Sequence, residues 1–113
     1  MLGTLYTDTL TLNSGVLIPQ QSIGVPSEGI VLSIKNADGI LGLGPVALTM
    51  GTLVNHPYRT IRTVIDNLLF QNAISQRVIS YSFIPSSATE IPYGTITLGG
   101  IDPADHAGPI TYT

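Results

Sequence analysis

The seven carboxylates of this 113-residue chain, Asp8, Glu28, Asp38, Asp66, Glu90, Asp102 and Asp105, are its most chemically capable side chains. Two carboxylates close enough to share one proton repel each other, so one stays charged as a general base and the other neutral as a general acid. Such a pair can activate a water for hydrolysis with neither a metal nor a covalent intermediate. Each member needs a tight turn on which backbone and hydroxyl groups hold it, hence the pattern Asp-Thr/Ser-Gly. No such tripeptide occurs here. Asp8-Thr9 runs on into Leu10 inside an extended stretch, and Asp38-Gly39 lacks the intervening hydroxyl residue.

The other reactive types give less. His106 has Asp102 and Asp105 beside it, which could mimic a metal or catalytic group, but Pro103, Gly108 and Pro109 around them favour a solvated acidic turn. Serines are abundant, yet no Gly-x-Ser-x-Gly elbow places one as a nucleophile. The glycines from Gly39 to Gly44 are followed by no Lys-Ser/Thr, so they form no phosphate loop, and their spacing is not that of a dinucleotide fingerprint. No cysteine is present, which excludes disulfides, thiolate metal sites and a cysteine nucleophile. No catalytic or metal-binding residue can therefore be assigned, and no cofactor is expected.

Charge narrows the partners. Lys35, Arg59, Arg62 and Arg77 are scattered, the net charge is −3, and nothing attracts a polyanion, so nucleic acid and an anionic membrane surface are not expected as partners. No apolar run approaches the ~20 residues of a membrane span. Charged residues are only 10% of the chain against a usual share of about 25%, so the surface must be made of Ser, Thr, Asn, Gln and Gly. Such surfaces are common in secreted proteins that work in acid. The first residues carry neither a positive n-region nor a long apolar h-region, so no signal peptide is read there.

The elements that would position these groups are mostly strands. Residues 4–12 alternate Thr, Tyr and Leu, and 16–25 form a second extended run across an Asn13-Ser14-Gly15 turn, which predicts a hairpin. Pro19 lacks a ladder donor, so that strand is expected to be an edge or to bulge there. Ile30-Val31-Leu32 could be a buried strand. Asp38 to Pro45 interleaves three glycines with Ile and Leu, which suits a tightly packed strand meeting another backbone closely. Ile61, Val64, Ile65, Leu68 and Leu69 make one helical apolar stripe, with Thr60 as expected N-cap and Asn72 as the left-handed residue that ends it. Residues 77–83 and 93–98 alternate again around a polar loop at 85–92, predicting a second hairpin with Ile96 and Leu98 inward. Residues 110–113 begin a further strand. One mainly β domain over 1–113 is expected, with a single amphipathic helix and with strands at both ends that suggest a partial domain.

Several of these stretches resemble the pepsin-like aspartic endopeptidases, block after block in family order. Asp38-Gly39-Ile40-Leu41-Gly42-Leu43 is similar to the Asp-Gly-Ile-Leu-Gly-Leu strand that threads behind that family's catalytic loop. Leu5-Tyr6-Thr7-Asp8-Thr9-Leu10 resembles the strand after the flap, and Thr63-Val64-Ile65-Asp66-Asn67-Leu68 resembles the family helix, with Arg62 where proline is usual. Ile74-Ser75 with Val78 to Phe83, Gly94 to Asp102 with its Gly99-Gly100-Ile101-Asp102, and Gly108 to Thr113 fit the segments that follow. Gly44 to Leu53 looks most like the polyporopepsin type, secreted enzymes of basidiomycete fungi. Residues 26–36 depart from the family pattern, as a divergent loop or an intron read as coding sequence would.

The resemblance implies part of the N-terminal lobe of the pepsin-like fold, an extracellular setting for the intact family, and peptide or protein substrates cut in acid. It also implies that both catalytic Asp-Thr/Ser-Gly motifs lie outside this chain, which is then inactive alone. By position, Ile40 matches an apolar residue lining the pocket just before the scissile bond; simple core packing is the competing expectation for it. Ala37 stands where an aromatic residue is frequent, which would thin that pocket wall. Unpaired strand edges would favour self-association. A non-catalytic β-rich module that binds peptides or inhibits a protease is the alternative.

Overall fold

The computed structural model describes residues 2–12, 15–28, 38–83 and 94–111. They form two compact units, Met1–Ala73 and Ile74–Thr113. The turn at Asn13-Ser14, the possible strand at 30–32, Ala37 and the polar loop at 85–92 lie outside the described residues.

The first unit is a long antiparallel hairpin with a short helix on it. Strand β1 (Leu2–Leu12) pairs with β2 (Val16–Glu28). Both strands run further than the alternation alone predicts. At the level of Pro19 the ladder breaks as expected: Leu10 faces Ile18 and Asp8 faces Gln21, so Pro19 and Gln20 together oppose Thr9. The Thr9 hydroxyl donates to the Pro19 carbonyl across this bulge, at 3.4 Å. A second irregularity lies between Leu2 and Gly3. There a Cβ on Gly3 would collide with the Val25 carbonyl oxygen and come within 2.9 Å of the Pro26 Cα, so only glycine fits.

Helix α1 (Val64–Phe70) packs on β2. The apolar stripe does become its buried face: Val64, Ile65 and Leu68 are buried, and with Ile18 of β2 they make the core of this unit. The helix starts one turn later than the stripe suggests. Thr63, not Thr60, is the N-cap, because the Asp66 carboxylate reaches back to accept from the Thr63 N–H (3.4 Å) and hydroxyl (2.8 Å). Ile61 is meanwhile held outside the helix by the Thr49 hydroxyl, which accepts from its N–H at 2.7 Å. The far end is as expected: Asn72 has φ 59°, the left-handed conformation that stops a helix. Arg62 lies over the Phe70 ring, 3.8 Å from its centroid, on the exposed side.

Two expectations for the middle of the chain fail. Residues 38–45 form no strand but a bend and an irregular run, and Gly39 and Gly42 meet nothing within 4 Å where a Cβ would stand. A strand requires a ladder partner, and none is present for this run among the described residues. Gly44-Pro45 then leads into a 3-10 turn at Val46–Thr49.

The second unit holds β3 (Ile79–Phe83) antiparallel to β4 (Gly94–Leu98), the predicted second hairpin. Tyr81 and Phe83 stack in parallel on one face, centroids 6.3 Å apart. The Gly99 N–H continues the ladder to the Val78 carbonyl at 2.7 Å. Gly99 takes φ 88°, and a Cβ there would sit 2.5 Å from the Ile74 Cγ2, so the break after β4 needs glycine twice over. Ile96 is exposed and not inward as expected, because the described residues of this unit include no layer to cover that face. Ile110 and Thr111 are likewise not in a strand. The described whole is mainly β, antiparallel, with one α-helix.

Candidate functional site

Three of the described aspartates, Asp8, Asp66 and Asp102, are used locally. Asp8 accepts from the Thr9 N–H at 2.7 Å within β1. Asp66 closes the first turn of α1. Asp102 accepts from the Ala104 N–H at 2.9 Å and caps the 3-10 turn at Pro103–Asp105. A carboxylate engaged in capping is held by its own chain, and Asp102 is so held in the turn before His106. Among the described residues no group of three or more His, Asp or Glu could hold a metal ion.

His106 itself is exposed, as the solvated-turn expectation requires. It borders a recess of about 280 Å³ in the second unit, walled by Val78, Ile79, Tyr81, Ile101 and Ile110. The walls are apolar, and Ser80 is the other polar side chain on them.

Ile40 lies in the first unit, in the irregular run between the bend at Asp38 and Pro45. It is 70% exposed. Leu41 beside it is half exposed. What holds the downstream end of this segment is a small set of hydroxyl contacts. The Thr49 hydroxyl donates to the Val46 carbonyl at 2.6 Å and accepts from the Ile61 N–H, tying the 3-10 turn to the approach of α1. The Thr52 hydroxyl donates back to the Thr49 carbonyl at 2.7 Å, and the Gly51 N–H to the Pro57 carbonyl at 2.8 Å. Exposed apolar side chains continue through this region with Leu48, Met50, Val54 and Tyr58. Sequence reasoning passed over these because they fall in no helix or strand that it predicted. Exposed aliphatic and aromatic groups in one region can bind apolar surface.

Helix α1 is anchored to β2 by polar contacts as well as by its core face. The Asn67 side-chain amide donates to Gln21 Oε1 at 3.0 Å, and Gln71 donates to the Leu17 carbonyl at 2.9 Å. Gln21 is itself buried, and its Nε2 donates to the Ser22 carbonyl at 3.0 Å, so neither end of its amide is left unpaired. Among the described residues no helix is long and apolar enough to cross a membrane.

The arrangement has close counterparts. The model of the eukaryotic aspartyl protease family matches residues 1–113. Polyporopepsin of Irpex lacteus is 46% identical over 111 residues, which are 98% of this chain and 32% of that protein. Oryzasin-1 of rice, an aspartic proteinase, is 31% identical over 97% of this chain and 20% of its own length. The crystal structure of the aspartic proteinase from Irpex lacteus superposes with a TM-score of 0.80 at 43% identity, covering 95% of this chain and 31% of the other. The chain thus spans about a third of the length of polyporopepsin, and less of the plant relative. With the family model matched from end to end and the fold shared at that identity, the chain belongs to the eukaryotic aspartyl proteases, of the pepsin-like kind.

Proposed function

We propose that residues 1–113 are one partial domain, scaffold of the N-terminal lobe of a secreted pepsin-like endopeptidase that cleaves peptide or protein substrates in acid, and that the chain does not cleave alone. The observation that carries this is a family match over residues 1–113 in a sequence with no Asp-Thr/Ser-Gly. The two carboxylates that must share a proton are then supplied by parts of the protein outside this sequence. Ile40 lines the pocket for the substrate side chain preceding the scissile bond; its 70% exposure supports an apolar contact made with a ligand and not within this core.

The outer edges of the β1–β2 and β3–β4 hairpins have no partner among the described residues. We propose that the isolated chain self-associates through them.

Two measurements test the reading. Peptide hydrolysis by the purified chain from acid to neutral pH should be absent; cleavage abolished by an aspartic-protease inhibitor would overturn the scaffold assignment. Replacing the matching third of polyporopepsin with this chain should give an active, inhibitor-sensitive enzyme. In that chimera Ile40→Ala should raise KM for substrates with a large apolar residue before the cleaved bond and leave kcat nearly unchanged. A folded chimera that binds peptides without cutting them would favour the non-catalytic module, and an unchanged KM would remove Ile40 from the pocket.

A further inference from the structure

We propose that Asp38–Gly39 is a site of spontaneous covalent modification, isomerising through a cyclic imide to isoaspartate. The reaction needs a main-chain nitrogen free to reach the carboxyl carbon of the preceding aspartate. Three conditions favour it: an exposed aspartate, a following residue with no side chain to crowd the approach, and a backbone not locked by a helix or ladder. Asp38 and Gly39 are both exposed and lie in no regular element. A Cβ built on Gly39 would meet nothing within 4 Å, so the space around the attacking nitrogen is open. Among the described residues the Gly39 N–H makes no backbone hydrogen bond that would have to break first.

The other aspartates each fail a condition. Asp8 is fixed in the β1 ladder and followed by β-branched Thr9. Asp66 is buried in α1, where the Asn67 N–H is committed to the Thr63 carbonyl at 3.0 Å. Asp102 is followed by Pro103, which has no N–H to give up. Asp105 is followed by the bulky His106.

The step balances without any co-reactant. The Gly39 nitrogen attacks the Asp38 Cγ and a C–N bond forms. The Cγ–OH bond breaks, and the hydroxyl leaves as water with the amide proton. Water then adds at the Asp38 main-chain carbonyl carbon and breaks its bond to the same nitrogen. The chain now runs through Cγ, one methylene longer, with a free α-carboxylate four bonds from the nitrogen of Gly39. No net mass change results.

The test is to age the purified chain near neutral pH and map isoaspartate by enzymatic carboxyl methylation and fragment-ion sequencing. Isoaspartate should accumulate at position 38 about tenfold faster than at Asp8, Asp66, Asp102 or Asp105, given the freedom that glycine confers. Gly39→Ala, whose added Cβ meets nothing within 4 Å, should slow it about tenfold, and Asp38→Glu should abolish it because the longer side chain would have to close a six-membered ring. Ageing the chain in denaturant should raise isomerisation at Asp8 and Asp66 toward the level of Asp38. Equal accumulation at all aspartates in the native chain, none at Asp38, or no effect of Gly39→Ala would each overturn the proposal.

Discussion

The half-buried amide pair between β2 and α1 allows a quantitative test of how the first unit is held. Gln21 is 7% exposed, and its Oε1 accepts from Asn67 Nδ2 at 3.0 Å. Removing one partner from a buried hydrogen bond costs about 1–3 kcal/mol, because the other partner stays desolvated and unpaired. Asn67→Ala should therefore lose that amount less a gain of about 0.6 kcal/mol from the better helix propensity of alanine. Gln21→Ala should lose a similar sum, including its buried methylenes. In the double variant neither orphan exists, so the total should fall short of the sum of the singles by about 1 kcal/mol. Helix propensity and methylene burial cancel in this cycle, which leaves the contact itself. The chain has five tyrosines and no tryptophan, so urea unfolding is best followed by far-ultraviolet circular dichroism. A coupling of about 1 kcal/mol corresponds to about 0.5 M in midpoint at an m-value of about 2 kcal/mol/M. Additivity within about 0.3 kcal/mol would refute the argument, and so would a wild-type chain with no cooperative transition.

Leu68→Ala, at a side chain only 2% exposed in a core of four apolar residues, should cost about 3 kcal/mol in the same assay, whereas Leu48→Ala at an exposed site should stay within about 0.5 kcal/mol. Thr63→Ala should cost about 1 kcal/mol and Thr60→Ala close to nothing; the reverse order would return the N-cap to the position the apolar stripe suggests.

The helix and both hairpins were legible because each rests on a local pattern. The stripe Val64, Ile65, Leu68 and the terminator Asn72 act within a few residues of themselves, and so does the donor that Pro19 lacks. The start of the helix was misplaced by one turn because a decisive partner is distant: Thr49, twelve residues before Ile61, takes up the N–H of that residue outside the helix. The glycines of 39–44 read as a close backbone approach, but that role falls to Gly3 and Gly99, whose neighbours Val25 and Ile74 are brought there by pairing that no local spacing encodes. For the candidate site, the missing Asp-Thr/Ser-Gly was plain from composition and order alone. Ile40 came from resemblance, and its exposure could not have been read from an apolar residue among glycines.

The bulge at Pro19 and Gln20 settles a conflict of parity in β2. Ile18 and Gln21 are three positions apart, an odd interval, and side chains an odd interval apart in a plain strand point to opposite sides. Both are nevertheless buried, and Gln21 meets Asn67 of α1. The supernumerary residue makes the odd interval behave as an even one, so the core and the ladder can be satisfied together. A one-residue deletion at Pro19–Gln20 would make the pairing continuous and the strand, by simple counting, more ideal. It would leave Leu10 opposite Ile18 and Asp8 opposite Gln21, with a single residue facing Thr9, so both side chains would keep their common side; a one-residue deletion elsewhere in β2 would instead reverse every side chain beyond it. In this hairpin the apparent flaw in the ladder absorbs one residue without changing phase, so a single-residue length change is tolerable at Pro19–Gln20 and not elsewhere in β2.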